Sequence, residues 1–127
     1  MESSGVKSGS ISIGIDMESV PRFKGLAHKE KFLSRVFTEG EIAYSFGRRA
    51  PHKHLAGRFA AKEACMKALG TGLSDGIRWK DIEVVDALDG GPGLNLSSAA
   101  KRRLAGRKAF LSITYSEELA VAFVAIV

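Results

Sequence analysis

Cysteine is nearly absent: Cys65 is the only one among 127 residues. A single thiol makes neither an intramolecular disulfide nor a multi-cysteine metal site, so the disulfide-stapled secreted classes drop out and the cytoplasm is the expected compartment. Long apolar runs are missing as well. No stretch approaches the ~18–20 residues that cross a bilayer, so no membrane partner is expected. The opening MESSGVKSGS lacks the apolar centre of a signal peptide. It is expected to be a flexible leader over 1–10, followed by one domain over 11–127. Neither a GxxxxGK[ST] loop nor GxGxxG occurs, which removes the common nucleotide-binding fingerprints. His28, His52 and His54 have no zinc-ligand spacing. Acidic residues are the scarcer charge, 14 against 19 Lys and Arg, for a net +5. The excess is concentrated. From Arg22 to Lys62 ten basic residues face three acidic ones, a local +7. A surface of that sign suits anionic partners: nucleic acid, an anionic membrane, an acidic protein or a polyphosphate ligand.

What is present is strongly periodic. Ile11, Ile13 and Ile15 alternate with Ser12, Gly14 and Asp16, which predicts a strand with one apolar face and Asp16 at the end of its polar face. Short helices are expected over Glu18–Lys24, with Pro21 in the first turn, and over Lys29–Val36. Thr38 with Glu41 three residues on forms a capping box that starts a helix near Glu39, to end before Pro51. The strongest helix is HLAGRFAAKEACMKALG, from His54 to Gly70. Leu55, Phe59, Met66 and Leu69 share one side of it at ~100° per residue. Its alanines and lack of β-branched residues suit close packing, and Gly70 is a natural stop. Asp81–Ala87 and Leu94–Leu96 read as strands around the turn-rich Asp89–Gly93, a hairpin. Ser97–Leu104 reads as a surface helix, Phe110–Tyr115 as a strand, and the continuously apolar Leu119–Val127 as a strand buried on both faces. The sum is an α+β domain, a mostly antiparallel sheet with a helical layer.

Few residues stand out chemically. Asp16, at the polar end of its strand, is placed either to bind a cation or to cap the next helix. Glu63 lies within an alanine-rich helix, four residues before Lys67, where a surface salt bridge is the plain alternative. Lys62 falls between Phe59 and Met66 on the core side, so it must snorkel out or meet an anion. Charges of both signs on a packed helix suit a divalent cation with a phosphate, the carboxylate holding the metal and the lysines the phosphate oxygens. Gly70-Thr71-Gly72 lets backbone approach a ligand or simply ends the helix. Ser112, Thr114, Tyr115 and Ser116 cluster hydroxyls near a strand end, and Cys65 reads as a buried structural thiol.

These segments resemble the holo-acyl-carrier-protein synthases, the short trimeric type of 4′-phosphopantetheinyl transferase. Ser12-Ile13-Gly14-Ile15-Asp16 resembles their N-terminal strand, Arg35-Val36-Phe37-Thr38-Glu39 a following segment, and LAGRFAAKEACMKALGTG, Leu55 to Gly72, their most distinctive motif. Asp81–Val84 and Leu111–Thr114 match later strands in order, so the likeness runs from about Ile11 to Val127. The resemblance implies the phosphopantetheinyl transferase fold and transfer of 4′-phosphopantetheine from coenzyme A to a serine of apo acyl carrier protein. The other product is adenosine 3′,5′-bisphosphate, and the reaction supports fatty acid biosynthesis. The resemblance carries magnesium over to Asp16 and Glu63, and a phosphate-directed catalytic role to Lys67. Coenzyme A contacts are carried over to Arg58, Lys62, Lys67, Gly70, Thr71, Gly72, Ser112 and Tyr115. Docking of the acidic carrier is carried over to Arg22, Lys24, Lys31 and Arg35. It implies a homotrimer with sites at subunit boundaries, the alanine-rich helix and Val121–Val127 supplying contact surfaces. Tyr115 stands where many members have histidine, which leaves no imidazolium there. The proton acceptor stays open between Glu63 and a metal-bound water. Two other readings are weighed. A basic nucleic-acid-binding module would use Arg22–Lys62 and Arg102-Arg103 on phosphates, but it leaves Asp16 and Glu63 unexplained and has no aromatic platform. A coenzyme A-binding homologue without turnover is motivated by Tyr115.

Overall fold

A computed structural model describes residues 10–127. Apart from Ser10, the expected leader lies outside the described residues. The order is β1 (Ser12–Ser19), α1 (Arg22–Leu26), α2 (Glu30–Val36), α3 (Glu39–Phe46), α4 (Pro51–Leu69), β2 (Ile82–Asp86), β3 (Pro92–Leu96), α5 (Ser98–Leu104), β4 (Ala109–Tyr115) and β5 (Leu119–Ile126). Two sheets form, β1-β5-β4 and the hairpin β2-β3, and every pairing among the described residues is antiparallel. The α+β class with a helical layer is as expected.

Local chemistry explains most boundaries. The Thr38 side chain accepts from Glu41 N while the Glu41 carboxylate accepts from Thr38 N, the reciprocal cap that opens α3. Gly70 closes α4 in the left-handed conformation at φ 74°, where a Cβ is unfavourable. The expected first helix starts later than its sequence suggested. Pro21 caps α1, and Glu18 belongs to β1, which runs on past Asp16 to Ser19.

The sheet β1-β5-β4 lays one face on α4. Gly14 makes this possible. A methyl there would land on the Ala64 carbonyl oxygen and lie 2.7 Å from Ala68 N. Ala60, Ala61, Ala64 and Ala68 on α4 are correspondingly buried. Strand and helix backbones therefore meet with almost nothing between them.

The apolar alternation of β1 faces the other way. Ile13, Ile15 and Met17 are exposed, as is Phe123, which pairs with Ile15 in β5. So β5 is not buried on both faces. Ala120, Ala122, Val124 and Ile126 cover α4, while Leu119 and Phe123 are open. The alanine-rich helix is likewise used up inside the chain, under its own sheet, and so is corrected as a contact surface.

Candidate active site

The close approach at Gly14 sets the direction of the residues that follow it. Asp16 and Glu18 share its strand face and so point toward α4, from which Glu63 projects. One carboxylate oxygen from each of the three lies within 4.8 Å of the others. The crowding shows in their acidities. Burial, a hydrogen bond with Asp16 and the charge of Asp16 push the Glu18 carboxyl up to about 8, and Arg22 pulls it the other way. Burial and then Asp16 raise Glu63 above the ordinary carboxylate range, opposed by Lys67. Asp16 Oδ2 is buried without any hydrogen-bond partner. Three mutually repelling carboxylates and an orphaned acceptor fit a hard divalent cation, and an all-oxygen donor set fits magnesium.

Lys67 stands beside this group. Its Nζ lies 3.3 Å from Asp16 Oδ1 and donates to the Ile15 carbonyl at 2.9 Å, with the side chain half exposed. It reaches the strand rather than its helical neighbour Glu63. The sequence reading missed Glu18. A period of two from Asp16 puts it on the same face, but assigning it to a helix start hid that signal.

Lys62 is corrected. Its side chain is 0% exposed, with Nζ 2.8 Å from Glu41 Oε1. It donates to the carbonyl oxygens of Trp79, at 3.0 Å, and Ile82. Burial lowers its pKa below the usual lysine value, and the Glu41 carboxylate opposes that. Glu41 also accepts from Val84 N at 2.7 Å. The anion that a lysine on a packed face requires comes from the chain itself, and Lys62 has no surface left for coenzyme A.

Arg58 and Tyr115 belong to a second cluster. The Arg58 guanidinium lies 3.6 Å from the Tyr44 ring centroid and that of Arg48 3.5 Å. His54 packs edge-on against both Tyr44 and Tyr115. Gly57 leaves room for the Tyr115 ring, whose Cζ would sit 2.7 Å from any added Cβ. Burial, then Arg58 and Arg48, lowers the His54 pKa, and burial raises that of Tyr115, so both rings are neutral near pH 7. Arg58 Nε and His54 Nδ1 are buried without partners. In the sheet register Ala120 pairs with both Glu18 and Tyr115, so the two clusters flank one strand.

The remaining expected residues are dispersed. Gly70-Thr71-Gly72 follows α4 one turn past Lys67. Thr71 donates to the Asp75 carboxylate, and Arg103 donates to the Leu69 and Gly70 carbonyls at 3.1 and 3.3 Å. Thr71, Asp75, Ile77, Ala99, Arg102 and Arg103 line a cleft of about 320 Å³ beside it. Ser112 faces outward beside Phe123, on the sheet face away from Tyr115. Arg22, at the head of α1, reaches back to Glu18 at 3.2 Å, and Lys24, Lys31 and Arg35 are exposed on α1 and α2.

Comparison with known proteins gives a consistent picture. The model of the 4′-phosphopantetheinyl transferase superfamily matches residues 12–124. The holo-[acyl-carrier-protein] synthase of Protochlamydia amoebophila is 42% identical over 115 residues, covering 89% of this chain and 94% of that one. Among solved structures, the Bacillus anthracis holo-(acyl-carrier-protein) synthase in complex with CoA (3′,5′-ADP) is 37% identical with a TM-score of 0.75, covering 91% of this chain and 94% of that one. The Helicobacter pylori synthase in complex with coenzyme A is 30% identical with a TM-score of 0.80, covering 91% and 99%.

Proposed function

Since the chain belongs to the 4′-phosphopantetheinyl transferase superfamily, we propose that it works as a holo-acyl-carrier-protein synthase. It transfers 4′-phosphopantetheine from coenzyme A to a serine of apo acyl carrier protein, in support of fatty acid biosynthesis. The convergence of Asp16, Glu18, Glu63 and Lys67 carries this reading at the level of residues.

Asp16, Glu18 and Glu63 would hold magnesium. Bound there, it supplies charge neutralisation of the pyrophosphate and polarisation of the phosphorus. The chain's own groups do the rest. Lys67 presents a cation at the carboxylate rim, placed for the phosphate that leaves with adenosine 3′,5′-bisphosphate. The serine oxygen forms the new bond to phosphorus as the pyrophosphate bridge breaks, and the serine proton passes to an acceptor at the carboxylate rim, Glu63 or a bound water. Catalysis of this kind rests mainly on positioning and charge stabilisation. Arg58 and Tyr115, and the backbone of Gly70, Thr71 and Gly72, extend the coenzyme A surface on either side. Arg22, Lys24, Lys31 and Arg35 dock the acidic carrier.

The working unit is a homotrimer. The open apolar face formed by Ile13, Ile15, Met17, Phe110 and Phe123 supports association, because monomers rarely leave so contiguous a patch in water. Ser112 lies on that face, where a second copy completes a boundary site. The cytoplasm is the proposed compartment, and no helix of the described residues is long and apolar enough to cross a membrane. Incubation of apo carrier protein with coenzyme A and magnesium tests the reading. A carrier mass gain of one phosphopantetheine group is expected, and an unchanged carrier overturns it.

A further inference from the structure

Arg22 has two sides to offer. Its Nη1 lies 3.2 Å from Glu18 Oε1, while its side chain is 57% exposed against 11% for Glu18. Glu18 is also divided. It faces Arg22 on one side and, on the other, the carboxylates of Asp16 and Glu63. A half-exposed contact of this kind, charged on both sides only once Glu18 gives up its proton, is weak and readily exchanged. The guanidinium begins the first helix of the basic segment, so an acidic side chain arriving from solvent meets a half-exposed cation whose carboxylate partner is Glu18.

We infer that the Arg22–Glu18 pair couples carrier docking to metal binding: each carrier-bound Arg22 releases Glu18 to the cation, and each cation-bound Glu18 releases Arg22 to the carrier. The inference rests on the proposed reading of the site. Its sign follows from the shared partners. Metal and carrier both compete with the internal pair, so the occupancy of either one lowers the cost of the other. Linkage makes the effect reciprocal. Its size is bounded by the strength of an exposed pair, which gives a factor of about two to five in each affinity. The enzyme thereby assembles its reaction centre most fully when the acceptor is in place.

The test is the dissociation constant of Mn2+, read as free Mn2+ by electron paramagnetic resonance on the full chain. It is measured alone and with a saturating apo carrier whose acceptor serine is replaced by alanine, so that no turnover occurs. The carrier is expected to tighten Mn2+ about two- to five-fold. In Arg22→Met that tightening disappears, and Mn2+ already binds more tightly to the free protein. Lys29→Met, which removes an equal charge from an exposed position outside the docking set and without touching Glu18, keeps the carrier effect. Carrier that binds and leaves Mn2+ unchanged overturns the inference alone, as does equal tightening in Arg22→Met. Failure of either Mn2+ or carrier to bind overturns the reading of the site and the inference with it.

Discussion

Lys62 Nζ lies 2.8 Å from Glu41 Oε1 with both side chains shut off from solvent. The pair joins α4 to α3, and through Val84 N, Trp79 O and Ile82 O it also joins the hairpin. Removing one member leaves a buried charge uncompensated, which costs about 3–5 kcal/mol. Lys62→Met is expected to lose that much in chemical denaturation. Adding Glu41→Gln should restore part of it, so a strictly additive double variant would contradict the pairing. The Michaelis constant for coenzyme A in whatever folded enzyme remains should stay close to wild type, because Lys62 has no exposed surface.

Gly14→Ala tests the contact between β1 and α4. The new methyl overlaps the Ala64 carbonyl and lies 2.7 Å from Ala68 N, both backbone atoms that have nowhere to retreat. Forced separation is expected to destabilise the protein by about 1–3 kcal/mol. It should also carry Asp16 away from Glu63 and weaken Mn2+ binding. A variant with wild-type melting and metal affinity would show that the approach is not needed.

The acid cluster sets a pH dependence. Glu18 titrates at about 8 in the folded chain, above an ordinary carboxylate, so the fold favours its protonated form. Its contribution to stability is present below the unfolded value near ~4.3 and lost as pH rises through the folded one. Metal binds the ionised form and opposes that loss. Melting of chelator-treated protein should therefore fall between about pH 4.5 and 8, with the gain on adding magnesium larger at the upper end. Glu18→Gln should flatten the slope. A magnesium effect independent of pH would contradict the assignment.

In the proposed trimer the outward sheet face forms the subunit boundary. Phe123 pairs with Ile15 in register, and both are exposed. Phe123→Glu places a charge in the middle of the patch without touching α4. Light scattering should show the wild type at about three times the 13.6 kDa chain mass. The variant should fall toward one chain, with unchanged circular dichroism and most activity lost. A fully active single chain would overturn the shared-site reading.

Much of this was legible in the sequence, for identifiable reasons. The Thr38–Glu41 cap and the Gly70 stop are local signals, and the helix ends they mark fall where expected, while the hairpin turn is tighter than the expected Asp89–Gly93 because β3 already begins at Pro92. The pairing of Asp16 with Glu63 rested on the likeness of two distant motifs, and their carboxylate oxygens lie within 4.8 Å of one another. What failed was orientation. Alternation says that β1 has an apolar side but not which side meets α4, and Gly14 with the alanines of α4 inverts the usual choice. Glu18 was hidden by a helix boundary set four residues early. Lys62 was placed correctly on the packed face, but its partner Glu41 lies 21 residues earlier on another helix, beyond the reach of periodicity.

The outward sheet also bears on how the enzyme behaves when it is scarce. If the proposed trimer forms, a chain that keeps isoleucine, methionine and phenylalanine on its open side would rely on copies of itself to hide them. In the proposed trimer, turnover per chain would be no constant of the sequence but would rise with the amount present. Diluted assays would under-report it, and weakly expressing cells would lose more than their share of acceptor loading. Newly made chains would pass through a sticky, idle interval before the first productive encounter.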